Sequence, residues 1–174
     1  TKLHSSKDAK IKQSQGFRRL VFDELCANFF VLSENRKKIK KEKKKKIFYR
    51  KISNSIKNEL PFKLTNSQEK VLREIENDIS GNKRMFRIIQ GDVGSGKTIV
   101  SFLAIANIIE SGFQCALMSP TAILAKQHYD LAKKIFKKTD FKIDFLTGKT
   151  ENKVKNEILK NLINGKTNLL IGTH

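Results

Sequence analysis

Apolar residues in the first part of the chain recur at the spacing of an α-helix. Between residues 17 and 34 they return every three or four positions, while the acidic residues Asp23 and Glu24 fall on the polar side. The pattern predicts an amphipathic helix over 17–34 with the apolar positions Phe17, Leu20, Val21, Leu25, Phe29 and Leu32. Because nothing nearby in the sequence could cover that face, we expect it to pack on another domain. Residues 35–58 read as a basic connector that is helical in part.

The chain changes character at Pro61, and from there apolar runs alternate with helical patterns. Thr65-Asn66-Ser67-Gln68 has the spacing of a capping box and predicts a helix from Asn66 to about Ile79. Short apolar runs then predict four strands, over 85–90, 115–119, 141–146 and 168–171. Helical patterns between these runs predict helices over 97–110, 121–138 and 151–163.

Strands that alternate with helices at this spacing predict βαβ units. The expected fold class is therefore α/β, a parallel sheet with helices on both faces, preceded by a helical basic linker. We expect three regions: a polar tail of an upstream domain over 1–16, a linker helix and basic connector over 17–58, and the α/β lobe over 59–174. Parallel sheets bind ligands beyond the carboxyl ends of their strands, so motifs at those ends are the candidates for function.

Charge is concentrated in the connector. The chain carries 36 basic and 17 acidic side chains, a net charge of +19, and Arg36–Lys51 alone holds eleven basic residues against the single acid Glu42. Such an excess favours a polyanionic partner, either nucleic acid or an anionic membrane surface. The run has two readings that the sequence leaves open. It is either a solvated linker or a segment that contacts a phosphate backbone in a sequence-independent, salt-sensitive way.

Composition excludes several classes of protein. Cys26 and Cys115 are the only cysteines and lie far apart, which excludes a zinc cluster or a disulfide framework and favours a reducing compartment. The longest apolar run, Phe102–Ala106, is too short to cross a bilayer, and residues 1–16 lack the apolar stretch of a secretory signal. A cytoplasmic protein without membrane contact is expected. The chain begins without Met and ends directly after an apolar run, so we expect it to be part of a longer protein.

A glycine-rich stretch carries the most specific signal. It reads Gly91-Asp92-Val93-Gly94-Ser95-Gly96-Lys97-Thr98 and fits G-x-x-x-x-G-K-[ST], between a predicted strand and a predicted helix. Glycines let the backbone turn its N–H groups around a phosphate chain, and the helix N-terminus adds partial positive charge there. All eight residues are therefore candidates for a nucleotide site. Lys97 is the expected contact of the β- and γ-phosphates, the Thr98 hydroxyl is the expected Mg²⁺ ligand, and both are catalytic candidates.

A phosphate loop alone does not distinguish kinases, GTPases and motor proteins from one another. Hydrolysis needs a metal-binding Asp and a base, normally on a later strand. Asp144 lies within a predicted strand and Asp140 before it, so neither ends a strand as this role requires. We therefore expect the missing carboxylates beyond His174.

Several stretches together resemble the RecG-type branch-migrating DNA helicases of superfamily two. Gln90–Thr98 resembles motif I of that family, and the other motifs arrive in the family's order. The matching stretches are the segment before motif I at Leu60–Gln68, motif Ia at Ser119–Tyr129, the next two DNA-facing motifs at Leu146–Lys149 and Ile171–His174, and the helix that links wedge domain to motor at Phe17–Leu25.

The resemblance implies roles for individual residues. It implies that Gln68 reads the adenine edge of ATP and that Phe62 packs nearby. It also implies contacts with the DNA backbone at Pro120, Thr121, Gln127, Thr147, Gly148, Thr173 and His174. The α/β domain would then be the first RecA-like lobe of a two-lobed motor that uses ATP and Mg²⁺. Its substrates would be stalled forks and recombination intermediates in DNA repair and recombination.

The same resemblance implies that the chain is incomplete as an enzyme. Its partners would be DNA, branched or duplex, together with a second RecA-like lobe and a wedge domain of the same protein. The 174 residues alone are expected to be inactive.

Other classes of protein stay open. Two other helicase families resemble this loop: the transcription–repair coupling translocases, usually with an aromatic residue where Ser95 stands, and the replication-restart helicases, which usually differ at Asp92-Val93. Ser95 and the helix at Arg18–Leu25 favour the RecG family. A non-helicase P-loop kinase or regulator would need neither a basic face nor three threonine-bearing loops on one sheet edge. A plain basic nucleic-acid-binding module would leave the phosphate loop without a role. Thr121 also has a structural reading, as the N-cap of its helix.

Overall fold

The computed structural model describes residues 15–39, 43, 47 and 49–174. They form two compact units: the described part of Thr1–Lys43 with Asn82–Phe86, and that of Lys44–Gly81 with Arg87–His174. The tail predicted over 1–16 lies almost entirely outside the described residues, as does much of the basic run Arg36–Lys51. In the described part of the chain, no helix is both long enough and apolar enough to span a bilayer.

The first unit contains one long helix, α1, over Gln15–Ile39. It confirms the predicted helix over 17–34 and continues beyond it at both ends. Arg19 and Asp23 lie one turn apart and form an exposed ion pair at 3.2 Å. Many of the apolar side chains of α1 are exposed, including those of Leu20, Phe22 and Phe30. The stripe that predicted the helix is therefore largely uncovered in this unit.

The second unit alternates helices and strands. Its helices are α2 (Lys51–Glu59), α3 (Asn66–Ser80), α4 (Lys97–Glu110), α5 (Ala122–Ile135) and α6 (Asn152–Ile163), and its strands are β1 (Cys115–Met118), β2 (Ile143–Leu146) and β3 (Leu169–Gly172). Each of these except α2 was predicted separately, with boundaries that differ by at most three residues. The expectation that the connector is helical in part is confirmed by α2.

Local signals set the limits of α3 and α4 as expected. The Thr65 hydroxyl accepts a hydrogen bond from the backbone N–H of Gln68 at 3.2 Å, and the Gln68 carboxamide oxygen accepts one from the N–H of Thr65 at 2.9 Å. This is the predicted capping box. Helix α4 ends at Glu110 with Ser111 as its C-cap, and Gly112 follows with a φ of 84°, a left-handed conformation that glycine adopts without a steric penalty.

The three strands form a parallel sheet in the order β1-β3-β2. On one face, Leu169 and Ile171 of the central strand are fully buried, and α4 and α5 pack against this sheet. Phe102 of α4 and Phe136 at the end of α5 meet edge to face with ring centroids 5.8 Å apart. The buried core of the lobe therefore includes side chains of the sheet and of these two helices.

The predicted strand over Met85–Gln90 is wrong. None of these residues is assigned to a strand, and the side chains of Phe86 and Ile88 are 53% and 80% exposed. A strand needs a neighbour to receive its backbone hydrogen bonds, and no strand in the described part of the chain pairs with this segment. Apolar composition predicts burial in a sheet only when such a neighbour is present. Four strands were expected, and three form among the residues described.

Candidate functional site

The glycine-rich stretch forms a tight loop that leads into α4. Gly94 and Gly96 have φ values of 81° and 80°, in the left-handed region that side-chain-bearing residues rarely adopt. Gly96 is also the N-cap of α4. The loop therefore delivers the chain to the helix N-terminus in a conformation that depends on two of its glycines.

The ammonium group of Lys97 lies inside the loop. Its Nζ donates hydrogen bonds to the carbonyl oxygens of Gly91 at 2.7 Å and Asp92 at 2.6 Å, and lies 3.4 Å from the Ser95 hydroxyl. The side chain is thus turned back over the loop instead of extending into solvent. Backbone oxygens here fill the role that phosphate oxygens would take, so the loop fits a phosphate group if Lys97 exchanges one set of acceptors for the other.

The side chain of Gln68 contacts the loop from α3. Its Nε2 donates a hydrogen bond to the carbonyl oxygen of Ser95 at 2.9 Å, while its Oε1 is held by the capping box. A Cβ added at Gly96 would collide with the Gln68 carboxamide, so this position of the Gln68 side chain depends on glycine at residue 96. The prediction that Gln68 reads adenine is not tested by this contact and stays a prediction.

A cavity of about 380 Å³ lies beside the loop. Its lining includes the apolar side chains of Val71, Ile89 and Val100 and the polar side chains of Gln68 and Lys97. This combination is typical of ligand sites, where apolar walls bury the ligand and a few polar groups orient it. Phe62 is half exposed in the turn before α3 and is not among the described residues that line the cavity. Its predicted contact with adenine stays a prediction.

The segment that leads into the loop is held by an arginine that the sequence analysis missed. Arg87 donates to Asp78 through Nε and to Glu74 through Nη1, both at 2.7 Å, and both acids lie on α3. The hydrogen bond with Asp78 raises the pKa of Arg87, and Glu74 acts in the same direction. Glu74 and Asp78 stand one turn apart on a helix, which was the available signal for a shared basic partner.

Three threonines follow the three strands at the carboxyl edge of the sheet. Thr121 follows β1, Thr173 follows β3 and Thr147 follows β2, so the sheet order brings them along one edge in the sequence 121, 173, 147. The Thr121 hydroxyl accepts a hydrogen bond from the N–H of Leu124 at 3.3 Å, which is the N-cap contact. The other predicted DNA contacts here, Pro120, Gln127, Gly148 and His174, are all exposed.

Helices α4, α5 and α6 begin at this edge. Their first turns contain no acidic residue, but the N-cap of α6 is Glu151, whose carboxylate opposes the positive end of that helix dipole. Lys97, Lys153 and Lys155 lie in first turns instead. The N-termini of α4 and α5 therefore have no opposing acid, which favours phosphate groups as ligands at these two helices.

Gly172 is a second residue that the sequence analysis missed. It lies at the end of β3 opposite Leu146 of β2, and a Cβ added to it would collide with the Leu146 carbonyl oxygen. Glycine therefore lets the ends of these two strands approach one another, just before Thr147 and Thr173. A lone glycine at a predicted strand end gave only a weak signal for such a contact.

A protein metal site made of several side chains is not found in the described residues, where no group of three or more His, Cys, Asp or Glu comes together. Thr98 lies in the first turn of α4, next to Lys97. Mg²⁺ at nucleotide sites takes few ligands from the protein and the rest from phosphate and water. The role of Thr98 as a ligand stays a prediction.

Comparison with known proteins identifies the family. Residues 65–174 match the model of the DEAD/DEAH box helicases. The chain is 38% identical to the ATP-dependent DNA helicase RecG of Aquifex aeolicus, with 99% of this chain and 22% of that protein covered. It is 44% identical to RecG of Thermotoga maritima, with 90% of this chain and 20% of that protein covered. The chain thus spans about a fifth of the length of these relatives.

Solved structures agree with the sequence matches. A structure of RecG bound to a three-way DNA junction superposes with a TM-score of 0.79 at 41% identity, over 90% of this chain and 22% of that one. A hypothetical ATP-dependent RNA helicase from Sulfolobus tokodaii superposes with a TM-score of 0.53 at 20% identity over 72% of this chain and 34% of that one, a likeness of fold alone. These matches confirm the RecA-like α/β fold and the resemblance to RecG. The chain belongs to the DEAD/DEAH box helicase family.

Proposed function

We propose that this chain is the first RecA-like lobe of an ATP-driven DNA helicase or translocase that remodels branched DNA in repair and recombination. The observation that carries the proposal is the phosphate loop at the N-terminus of α4, on the same sheet edge as three threonine-tipped loops. RecG proteins are described as ATP-dependent DNA helicases, and one is known bound to a three-way DNA junction. The cytoplasmic location expected from the sequence stays part of the proposal.

The nucleotide would be held by groups that already converge on the loop. Lys97 would leave the carbonyl oxygens of Gly91 and Asp92 and donate to the β- and γ-phosphates. Backbone N–H groups of the loop and the N-terminus of α4 would neutralise further charge. Gln68 would present its carboxamide to adenine, with Phe62 beside the base, and the Thr98 hydroxyl would hold Mg²⁺. The metal supplies charge neutralisation on the phosphates when it is bound.

Hydrolysis would need groups outside these residues. None of the three described strands ends in a carboxylate that could orient water, and an arginine from a second lobe is worth about 10³–10⁵ in rate where it operates. We therefore propose that ATP binds between this lobe and a second lobe of the same protein. Cycles of hydrolysis would open and close the gap between them and move the DNA, while a wedge domain would split the branched substrate.

DNA would bind along the carboxyl edge. Phosphates would contact the N-termini of α5 and α6 and the loops at Thr121, Thr147 and Thr173, with Pro120, Gln127, Gly148 and His174 beside them. The absence of an acid from the N-cap and first turn of α5 supports the contact at that helix, because a helix that binds no anion gains stability from such acids. The contacts are to the backbone, so they would position the strand without reading its sequence.

The test uses the full-length protein with a three-way junction of synthetic DNA. We expect DNA-stimulated release of phosphate from ATP and ATP-dependent separation of the junction, both lost in the Lys97→Ala variant. Phosphoryl transfer to a small molecule or protein, with no response to DNA, would identify a kinase instead. ATP binding without either reaction would leave only a regulator, and would overturn the proposed activity.

A further inference from the structure

The start of α2 is held by three groups from the C-terminal parts of α3 and α4. The backbone N–H of Tyr49 donates to the Ser111 hydroxyl at 3.3 Å, and the N–H of Ile52 donates to the Glu110 carboxylate at 3.0 Å. The third contact is an ion pair at 3.0 Å between Arg50 and Glu76 of α3. The N-terminus of α2 is therefore capped by other helices of the lobe and not by its own side chains.

Glu76 is the centre of this cluster. One carboxylate oxygen accepts a hydrogen bond from the amide of Asn107 in α4 at 2.8 Å, and the other pairs with Arg50. Glu76 and Asn107 are only 8% and 2% exposed. A carboxylate is costly to bury unless charged and hydrogen-bonding partners compensate it, so its presence here fixes the relative positions of three helices through directional contacts.

The two helices that supply these contacts are the same two that touch the phosphate loop. Helix α3 contacts the Ser95 carbonyl through Gln68 and reaches Arg50 through Glu76, about two turns later. Helix α4 begins at the loop with Lys97 and binds Glu76 through Asn107. Each helix therefore contacts the nucleotide loop near one end and α2 nearer the other.

Helix α2 is also where the chain enters the lobe from α1 and the basic run. The backbone that leaves α1 at Ile39 reaches Lys51 after eleven residues. Whatever displaces the start of α2 displaces the attachment point of that segment. The cluster of Arg50, Glu76 and Asn107, here called the α2 joint, thus links the nucleotide-bearing helices to the start of α2 through polar contacts.

We propose that Glu76 is a positioning residue which, through the α2 joint, makes movements of the phosphate loop and of α2 occur together. Nucleotide-dependent shifts of α3 and α4 are passed to the segment that precedes the lobe, and DNA remodelling upstream depends on ATP turnover through this contact. The inference rests on the proposed motor function. It assigns to Arg50, Glu76 and Asn107 the coupling of hydrolysis to mechanical work, and no part in the chemistry itself.

A purely structural role for Glu76 has a different signature. If the joint only stabilises the lobe, its loss lowers the melting temperature and reduces ATP hydrolysis and junction separation in parallel. If the joint couples ATP hydrolysis to junction separation, its loss leaves DNA-stimulated hydrolysis near the wild-type rate and reduces the number of base pairs separated per ATP hydrolysed. The ratio of the two rates therefore distinguishes the roles, whatever the change in stability.

The experiment compares Glu76→Gln, Arg50→Ala and the double variant in the full-length protein. Glu76→Gln keeps an acceptor for Asn107 and removes the charge that binds Arg50. Arg50 is largely exposed, so Arg50→Ala decides the question if Glu76→Gln fails to fold. The matched control is Lys138→Ala, which breaks the exposed ion pair of Lys138 with Glu59 at the other end of α2, at 3.1 Å.

We expect base pairs separated per ATP to fall about tenfold in each single variant, no further in the double variant, and not at all in the control. Arg50→Lys should recover most of the loss. An unchanged ratio in Arg50→Ala, or parallel losses of hydrolysis and separation, would overturn the inference while leaving the helicase intact. A wild-type protein that does not hydrolyse ATP would instead overturn the proposed function.

Discussion

Helices α1 and α4 both contain many apolar residues, but these are buried in α4 and largely exposed in α1. In α4, seven of 14 residues are buried, and the helix lies against the sheet with its N-terminus at the phosphate loop. In α1, large side chains such as Leu20, Phe29 and Phe30 are mostly exposed over 25 residues. Periodicity predicts that both are helices, because it depends on spacing alone. It does not specify what covers them, because burial depends on partners elsewhere in the structure.

The largest difference between α4 and α1 is expected in how much their phenylalanines contribute to stability. Phe102 of α4 is fully buried against Phe136, so Phe102→Ala should lower the free energy of unfolding of this chain by about 3–5 kcal/mol. Phe30 of α1 is 74% exposed, so Phe30→Ala should change it by less than about 0.5 kcal/mol. Urea titrations of the two variants measure the difference. Similar losses in both would mean that α1 has a packed partner in solution.

The next largest effect is expected on nucleotide binding, which should depend on Lys97 of α4 and not on Lys37 of α1. Lys97→Ala removes a charged donor to phosphate worth about 1.5–3 kcal/mol, which is roughly a 10- to 100-fold rise in the Kd for ATP. Lys37 of α1 pairs with Glu34 at 2.7 Å on an exposed surface, and Lys37→Ala is the matched control with no expected change. Titration with a fluorescent ATP analogue, beside circular dichroism, measures both. An unchanged Kd in a folded Lys97→Ala protein would remove the site assignment.

The same contrast explains which features the sequence could predict. The phosphate loop and the Thr65–Gln68 capping box are local: their residues lie within a few positions of one another, so spacing alone specifies the geometry. The strand expected over Met85–Gln90 failed because sheet formation depends on a distant partner. Gly172 opposite Leu146 was missed for a similar reason, since only strand pairing reveals what a Cβ would meet.

Contacts between polar residues that are distant in the sequence could not be predicted either. Arg50, Glu76 and Asn107 are separated by 26 and 31 positions, and none belongs to a motif of residue types at fixed spacing. A basic residue in a lysine-rich segment predicts a solvated side chain more readily than a partner for a buried carboxylate. The charge run Arg36–Lys51 therefore contains at least one residue, Arg50, whose role is within the lobe.

The role of Arg50 within the lobe changes how the basic run should be tested. Deleting all of Arg36–Lys51 would remove Arg50 and the first residue of α2 together with the lysines, so its effect could not be assigned to charge. Replacing Lys40, Lys41, Lys44, Lys45 and Lys46 by Gln leaves both in place. If these lysines neutralise DNA phosphates, the slope of log affinity against log salt should fall by about 0.9 for each phosphate that is no longer neutralised. An unchanged slope in the full-length protein would identify a solvated connector.

The smallest effect on the protein concerns its two cysteines, one in α1 and one at the start of β1. Burial raises the pKa of the Cys115 thiol to about 11, and the thiolate is the form that reacts with alkylating agents. A rise from 9.0 to about 11 lowers the thiolate fraction at pH 8 by roughly 100-fold, since each pKa unit is a factor of ten. Iodoacetamide should therefore modify Cys115 about 100-fold more slowly in the folded chain than in urea, without altering the fold or ATP binding at pH 8.

The raised pKa of Cys115 also makes the stability of the folded chain depend on pH. Folding favours the protonated thiol of Cys115, so its contribution is fully present below pH 9.0 and is lost as the pH rises towards about 11. Alkylation of the folded chain should accelerate over the same interval, and mass spectrometry of tryptic peptides separates Cys115 from Cys26, the other free cysteine. If Cys115 reacted at pH 8 as fast in the folded chain as in urea, β1 would not be covered by the lobe.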